Sequence, residues 1–195
     1  MDVGRDALGG AARDRARTIA CAPCSGFHHA GFAYGGGFCT FNGLMVTATA
    51  LLGGGARAIG ILDCDMHYGD GTDDILRRLD LGERVRHFTA GAEYRRAEQA
   101  EGFLASLAER VRSMRDCDVI LYQAGADPHV RDPLGGWLDD AQLQRRDEIV
   151  FRTARALDVP VAWNLAGGYQ RDERGGIAPV LAIHAATARA AIAAL

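Results

Sequence analysis

The sequence predicts a parallel α/β sheet with helices on both faces, and three observations carry that prediction. Short apolar runs at residues 18–22, 59–62, 84–89, 118–123 and 160–165 alternate with segments of helical period. The runs end in clusters of Gly, Asp, His or Tyr rather than in plain turns. The 195 residues, 48% of them apolar, suffice for one domain with a sizeable core.

Residues 1–16 are rich in Ala, Arg and Asp and are expected to be helical or frayed. The first strand follows at 18–22. Cys21 and Cys24 have C-x-x-C spacing, but Ser-Gly-Phe-His-His comes next rather than a helix, and no second C-x-x-C exists. Neither a redox pair nor a zinc knuckle is supported. Gly35-Gly36-Gly37 predicts a close backbone approach. Residues 44–52 read as a helix of small and apolar residues ended by three glycines. After the strand at 59–62, Asp73-Asp74-Ile75-Leu76 reads as a helix opening. Residues 93–115 and 139–157 carry helical period, and 177–195 form an Ala-rich helix.

The net charge of -3 gives no basic footprint for direct nucleic-acid binding. No run is long and apolar enough for a membrane span, and the start has no secretory pattern. Five scattered cysteines suit a reducing cytoplasm, which is the expected compartment. All 22 basic residues are Arg, from which nothing functional follows.

The central stretch, Ile59 to Thr72, puts Asp63, Asp65, His67 and Asp70 directly after a buried strand. Isolated buried charges there are costly unless paired or bound to metal. A calcium loop is excluded because Tyr68 stands where that loop needs glycine. A phosphate loop is disfavoured because Asp74 replaces the third glycine. A solvated acidic turn remains the plain alternative. Asp65 and His67 are two apart and point the same way along an extended chain, as half of a mixed O/N metal site.

Ligands of parallel sheets bind beyond the carboxyl ends of the strands. His28 and His29, the central acids, Asp127 and Tyr169 each follow a different strand, so one site is expected. Asp65, His67 and Asp127 would hold zinc, with an open position for catalysis. His28 or His29 would be the general base and the other an electrostatic or acid partner. Asp63 and Asp70 would fix the imidazoles. Tyr169 would donate its hydroxyl to a developing oxyanion. His87, His184, Cys64, Cys117 and Trp163 read as structural, while His129, beside Asp127 in a loop within reach of the site rim, is assigned no role. Of Phe27, Phe32 and Phe38, only Phe38 is expected to line a channel.

Five ordered motifs carry a family resemblance: Gly26-Phe27-His28-His29-Ala30; Gly36 to Asn42; Asp63-Cys-Asp65-Met-His67-Tyr-Gly69-Asp70-Gly71; Gly125-Ala126-Asp127 with Asp132-Pro133-Leu134-Gly135; and Gly167-Gly168-Tyr169. Over residues 17–172 the chain resembles the zinc-dependent histone deacetylase and acetylpolyamine amidohydrolase family, of arginase-like three-layer α/β/α fold. The resemblance implies zinc (or Fe2+) at Asp65, His67 and Asp127, the histidine pair backed by Asp63 and Asp70, and a transition-state tyrosine at Tyr169. It implies a substrate-tunnel wall at Gly37, Phe38 and Cys39. It also implies a structural potassium ion near Asp63, Asp65 and His67, with Thr89 close by. The segments before His28 and between Thr89 and Asp118 are shorter than in the family, and no final strand is evident after Tyr169. The expectation is one deacetylase-like domain over 1–195, shortened at the N-terminus and at the C-terminus. It would hydrolyse an acyl group from an amine: acyl-lysine, acetylpolyamine or a small metabolite. The alternative is an inactive relative acting as a metal- or partner-binding module. Exposed sheet edges suggest a homo-oligomer.

Overall fold

Five strands form one all-parallel sheet in the order β1-β5-β4-β2-β3, in a computed structural model that describes residues 18–195. The strands are β1 (Ile19–Ala22), β2 (Ile59–Asp63), β3 (Val85–Thr89), β4 (Val119–Gly125) and β5 (Val161–Ala166). Among the described residues, six helices accompany them: α1 (Gly43–Gly53), α2 (Asp70–Arg78), α3 (Ala90–Glu93), α4 (Ala100–Arg112), α5 (Asp140–Ala156) and α6 (Ala178–Ala193). The expectation for residues 1–16 lies outside the described residues.

Side-chain alternation along the strands builds two cores. Ile59 and Ile61 of β2 and Leu121 of β4 pack with Leu44, Met45 and Ala48 of α1 and Ile75 and Leu76 of α2. Leu62, Ile120, Tyr122, Val161 and Trp163 face the other way, against Phe103 and Leu107 of α4, Val150 and Phe151 of α5 and Ile183 of α6. Helices therefore cover both faces, the layering that the sequence predicts.

The expected helix over 93–115 is broken. α3 stops at Glu93, a 3-10 turn occupies Ala97–Gln99, and α4 begins at Ala100. The Gln99 side chain accepts from the Arg95 and Arg96 backbone N–H groups, which caps the second segment and turns the chain. α2 starts at Asp70, three residues before the acidic opening read from the sequence. Asp70 and Asp73 both lie in its first turn, where acidic side chains complement the helix dipole.

Strand order reverses between β2 and β4. The chain leaves β2 toward α2 on one face and leaves β4 toward α5 on the other. Loops that part in this way leave a crevice at the carboxyl ends of the two strands.

Candidate active site

Asp65, His67 and Asp127 meet in that crevice. One donor atom from each lies within 4.8 Å of the others. His67 Nδ1 lies 3.0 Å from Asp65 Oδ1 and 3.0 Å from Asp127 Oδ2. Its hydrogen bond goes to Asp65, and Asp127 Oδ2 is buried without a hydrogen-bond donor. Asp127 is 0% exposed and Asp65 3%. A buried carboxylate oxygen facing two other ligand atoms, with no donor of its own, is the arrangement a divalent cation satisfies. Burial and the facing Asp65 charge push the Asp127 carboxyl well above the usual carboxylate range. Against its own burial, Asp65 is held below that range, mainly by the His67 hydrogen bond and the His28 charge. A cation removes the conflict between the two acids. Two carboxylates and one imidazole, with room beside them, are a donor set that fits catalytic zinc or Fe2+.

His28 and His29 arrive on the loop between β1 and α1. Asn42 pins that loop: its Nδ2 donates to the Ala30 carbonyl and to Thr72 Oγ1, both at 3.0 Å, while its Oδ1 caps α1 at Met45 N. The Thr72 backbone N–H of α2 donates to the His28 carbonyl at 3.1 Å. The two imidazoles lie 4.1 Å apart, centroid to centroid.

Each has its own acid. His28 Nδ1 is 2.7 Å from Asp63 Oδ2, and His29 Nδ1 is 2.7 Å from Asp70 Oδ1. The environments differ. The first pair is buried, whereas the Asp70 side chain is 51% exposed. Burial lowers the His28 pKa, but Asp63, Asp65 and Asp127 outweigh it and raise it to about 9. His28 Nε2 then faces Asp65 Oδ1 at 3.7 Å.

A polar row across the sheet supports Asp63. Asp63, Gln123 and Asn164 are register neighbours on β2, β4 and β5. Gln123 Nε2 donates to Asp63 Oδ1 at 3.0 Å, and Asn164 Nδ2 lies 3.5 Å from Gln123 Oε1. The Asp65 backbone N–H also donates to Asp63 Oδ1.

Tyr169 sits on the turn after β5. Its backbone N–H donates to Asp132 Oδ2 at 2.8 Å, while Asp132 Oδ1 accepts from the Leu134 N–H. One buried carboxylate thus ties the Tyr169 turn to the loop after β4. Gly167 makes the approach achievable: its φ is +50°, and a Cβ there would lie 2.3 Å from Asp127 Cγ. Burial and the charges of Asp127 and Asp65 push the Tyr169 hydroxyl up to about 12, so it carries its proton at neutral pH.

These groups share a pocket of about 450 Å³ lined by His28, His29, Asp65, His67 and Tyr169, with Gly37, Phe38 and Cys39 on its wall. Phe38 is 87% exposed at the rim, with φ at +63° and its ring 6.1 Å from that of Tyr169. Gly37 approaches His29, as a glycine must: a Cβ would lie 2.2 Å from the ring. Cys39 is buried, with Sγ 3.5 Å from the Gly37 carbonyl. Phe27 corrects an expectation, because it lines the pocket as well as packing on the α1 core. Phe32 is exposed, with the Arg78 guanidinium over its ring.

Every site residue expected from the sequence borders the pocket or directly supports a residue that does. The sequence assigns no role to Gln123, Asn164 or Arg146, and Asp132 enters only as part of the Asp132-Pro133-Leu134-Gly135 motif. Arg146 and Asp147 did leave a signal. They are charged residues on the stripe of α5 that otherwise buries Leu143, Val150, Phe151 and Ala154. Asp132 left a weaker one, in the Asp132-Pro133 turn.

The histone deacetylase domain family matches residues 5–86. Acetylpolyamine amidohydrolase 1 of Pseudomonas aeruginosa is 47% identical over 171 residues, covering 73% of this chain and 48% of that protein. Acetylpolyamine amidohydrolase of Mycoplana ramosa is 30% identical over 176 residues, covering 76% and 50%. The crystal structure of an acetylpolyamine aminohydrolase from Burkholderia pseudomallei superposes with a TM-score of 0.64 at 22% identity, covering 95% of this chain and 58% of that one. That of an HDAC homolog from Aquifex aeolicus gives 0.65 at 18% identity, covering 88% and 52%. The fold is therefore shared, and the chain spans about half the length of the curated relatives it matches.

Proposed function

This chain belongs to the histone deacetylase and acetylpolyamine amidohydrolase family, and on that premise we propose that it is a metal-dependent hydrolase that removes an acetyl or similar acyl group from an amine. The supporting observation is that a metal-ligand triad, an acid-backed histidine pair and Tyr169 line one pocket or lie directly against it. We read residues 1–195 as one deacetylase-like domain, working in the cytoplasm. Among the described residues, no helix is long and apolar enough to cross a membrane.

Zinc, or Fe2+, held by Asp65, His67 and Asp127 would supply Lewis acidity toward the acyl carbonyl and acidify water. The chain's own groups handle the protons. His29, oriented by Asp70, takes a proton from the attacking water and returns it to the leaving nitrogen. His28, wedged between Asp63 and Asp65, favours its charged form and acts electrostatically beside the reaction. Tyr169 donates its hydroxyl to the oxygen on which negative charge develops. A potassium ion near the carbonyls of Asp63, Asp65 and His67 would stiffen the ligand loop; Thr89 Oγ1 lies 3.5 Å from the His67 carbonyl.

The pocket lining contains His and Asp side chains but, among the described residues, no Arg. That lining accommodates an acetylated polyamine or the neutral acyl-lysine side chain, and offers an anionic metabolite no guanidinium partner. β1, mostly exposed at the sheet edge, is where we place the contact of a homo-oligomer.

The test is acetate release from an acetylated polyamine and from an acetyl-lysine peptide by zinc-loaded protein. Asp127→Ala should abolish metal uptake. Tyr169→Phe should keep the metal and lose about 10²–10³-fold in kcat. Unimpaired turnover in Tyr169→Phe refutes the hydroxyl's role. A metal-loaded wild type that releases acetate from neither substrate turns the reading toward a metal- or partner-binding module.

A further inference from the structure

Beneath the crevice, on the face opposite His28, lies a guanidinium that the mechanism does not use. Arg146 of α5 is 0% exposed. Its Nη1 donates to two backbone carbonyls, Gly125 at 2.6 Å and Cys64 at 3.3 Å. These carbonyls belong to adjacent strands at the point where the strands part. The β2–β4 ladder closes with the Cys64 N–H donating to the Gln123 carbonyl at 3.0 Å. Beyond it, the chains splay toward α2 and α5 on opposite faces, and their carbonyls lose their ladder partners. One nitrogen spans the resulting fork.

The position of that fork matters. Cys64 immediately precedes Asp65, and Gly125 lies two residues before Asp127. The opening between the two strands sets how far apart the two carboxylates stand. We propose that Arg146 is a positioning residue that fixes the separation of the Asp65 and Asp127 carboxylates by bridging the Cys64 and Gly125 carbonyls.

The rest of the network holds Arg146 still. Its Nε donates to Asp147 Oδ1 at 2.8 Å. The same Oδ1 accepts from the Tyr122 hydroxyl, and Asp147 Oδ2 accepts from Thr187 Oγ1 of α6 at 2.5 Å. Asp147 therefore faces inward to anchor the guanidinium on β4 and α6, while the far end of the guanidinium grips the fork. A buried ion pair is a poor device for stability alone, because apolar side chains of similar volume commonly do as well. Its position directly under two metal ligands fits a role in geometry, since groups behind metal ligands tune the affinity of a site. This inference rests on the metal-site reading above.

The test uses the full chain and Co2+ as the probe. Affinity is measured by competition with a chelator, and ligand geometry by the visible d–d absorption of the loaded protein. Arg146→Lys keeps a charge but loses the planar fork. It should weaken Co2+ binding by about 10–100-fold and shift the absorption band. Val150→Ala, a cavity on the same buried face of α5, should lower the melting temperature and leave Co2+ affinity and spectrum unchanged. Arg146→Lys with affinity within twofold of wild type and an unaltered spectrum overturns the proposal, whatever its melting temperature. Should that variant fail to fold, Arg146→Met combined with Asp147→Asn removes the buried pair together and is read by the same two criteria. A wild type that takes up no Co2+ overturns the metal reading and this inference with it. A wild type and variant with matching affinity and matching spectrum overturn the inference alone.

Discussion

Replacing Asp63 by Asn would keep the shape of a fully buried side chain, replace one carboxylate oxygen by NH2 and remove the negative charge. Asp63 accepts from His28 Nδ1 at 2.7 Å, from Gln123 Nε2 at 3.0 Å and from the Asp65 backbone N–H at 3.1 Å. An amide offers one oxygen and one NH2 group. With the oxygen turned to Gln123 and Asp65, the NH2 faces His28 Nδ1, which must then present a lone pair. His28 becomes neutral with its proton on Nε2, and the charge beside Asp65 is lost. With the amide reversed, its NH2 confronts two donors instead. Either way a charge-assisted bond worth about 1.5–3 kcal/mol disappears from a buried site. For a chain of this size that lowers the melting temperature by about 3–12 °C. Turnover should fall by about 10²–10⁴-fold, the usual contribution of a positioned acid–base group. The assay is kcat for acetate release on metal-loaded protein, paired with 15N NMR of the His28 tautomer. Asp70→Asn is the internal control. Its bond to His29 is equally short, but half of its side chain faces water, so its stability cost should stay below about 1 kcal/mol. A kcat for Asp63→Asn within threefold of wild type, or an unchanged His28 tautomer, would refute this reasoning.

Three further outcomes are expected. Gly167→Ala forces a Cβ against the Asp127 carboxylate at a positive φ. It should cost about 1–3 kcal/mol in thermal unfolding and at least tenfold in Co2+ affinity, both readable in one chelator-titrated melting series. Phe38→Ala removes an exposed rim ring beside Tyr169; folding stability should change by less than about 0.5 kcal/mol while KM rises several-fold, and an unchanged KM excludes Phe38 from substrate contact. Asp118 works against partial burial, but its bonds from the Arg57 and Ala58 backbone N–H groups hold its carboxyl below the usual range. A depressed folded pKa means stability that is present above about pH 4 and lost as pH falls through the folded value. Its side chain is 36% exposed, so water screens much of that effect: Asp118→Ala should lose less than about 1 kcal/mol at neutral pH and unfold less steeply with acid than wild type, as urea titrations between pH 2 and 7 would show.

The strands and most helices were legible because apolar spacing is a local signal. The single helix expected over 93–115 failed for a local reason as well. The charged and polar spacing continues through Arg95, Arg96 and Gln99, but the Gln99 side chain takes the backbone donors that an unbroken helix would use. The sequence assigns only Phe38 to the channel, whereas Phe27 serves both the core and the pocket, a placement that spacing along the chain does not encode.

By itself the sequence determined the chemical inventory. Asp65 and His67 two apart, a histidine doublet, and acids and a tyrosine after separate strands are written in adjacent or nearly adjacent residues, where spacing alone constrains chemistry. The tertiary structure decided which of these groups meet and what holds them. The crossing order of the strands brings Asp127 opposite Asp65, although they are 62 positions apart. Register aligns Asp63, Gln123 and Asn164 into one row. The parting of β2 from β4 creates the unladdered carbonyls that Arg146 fills. None of these follows from composition or period, because each depends on which strand lies next to which, and that is settled by packing two helical layers against one sheet.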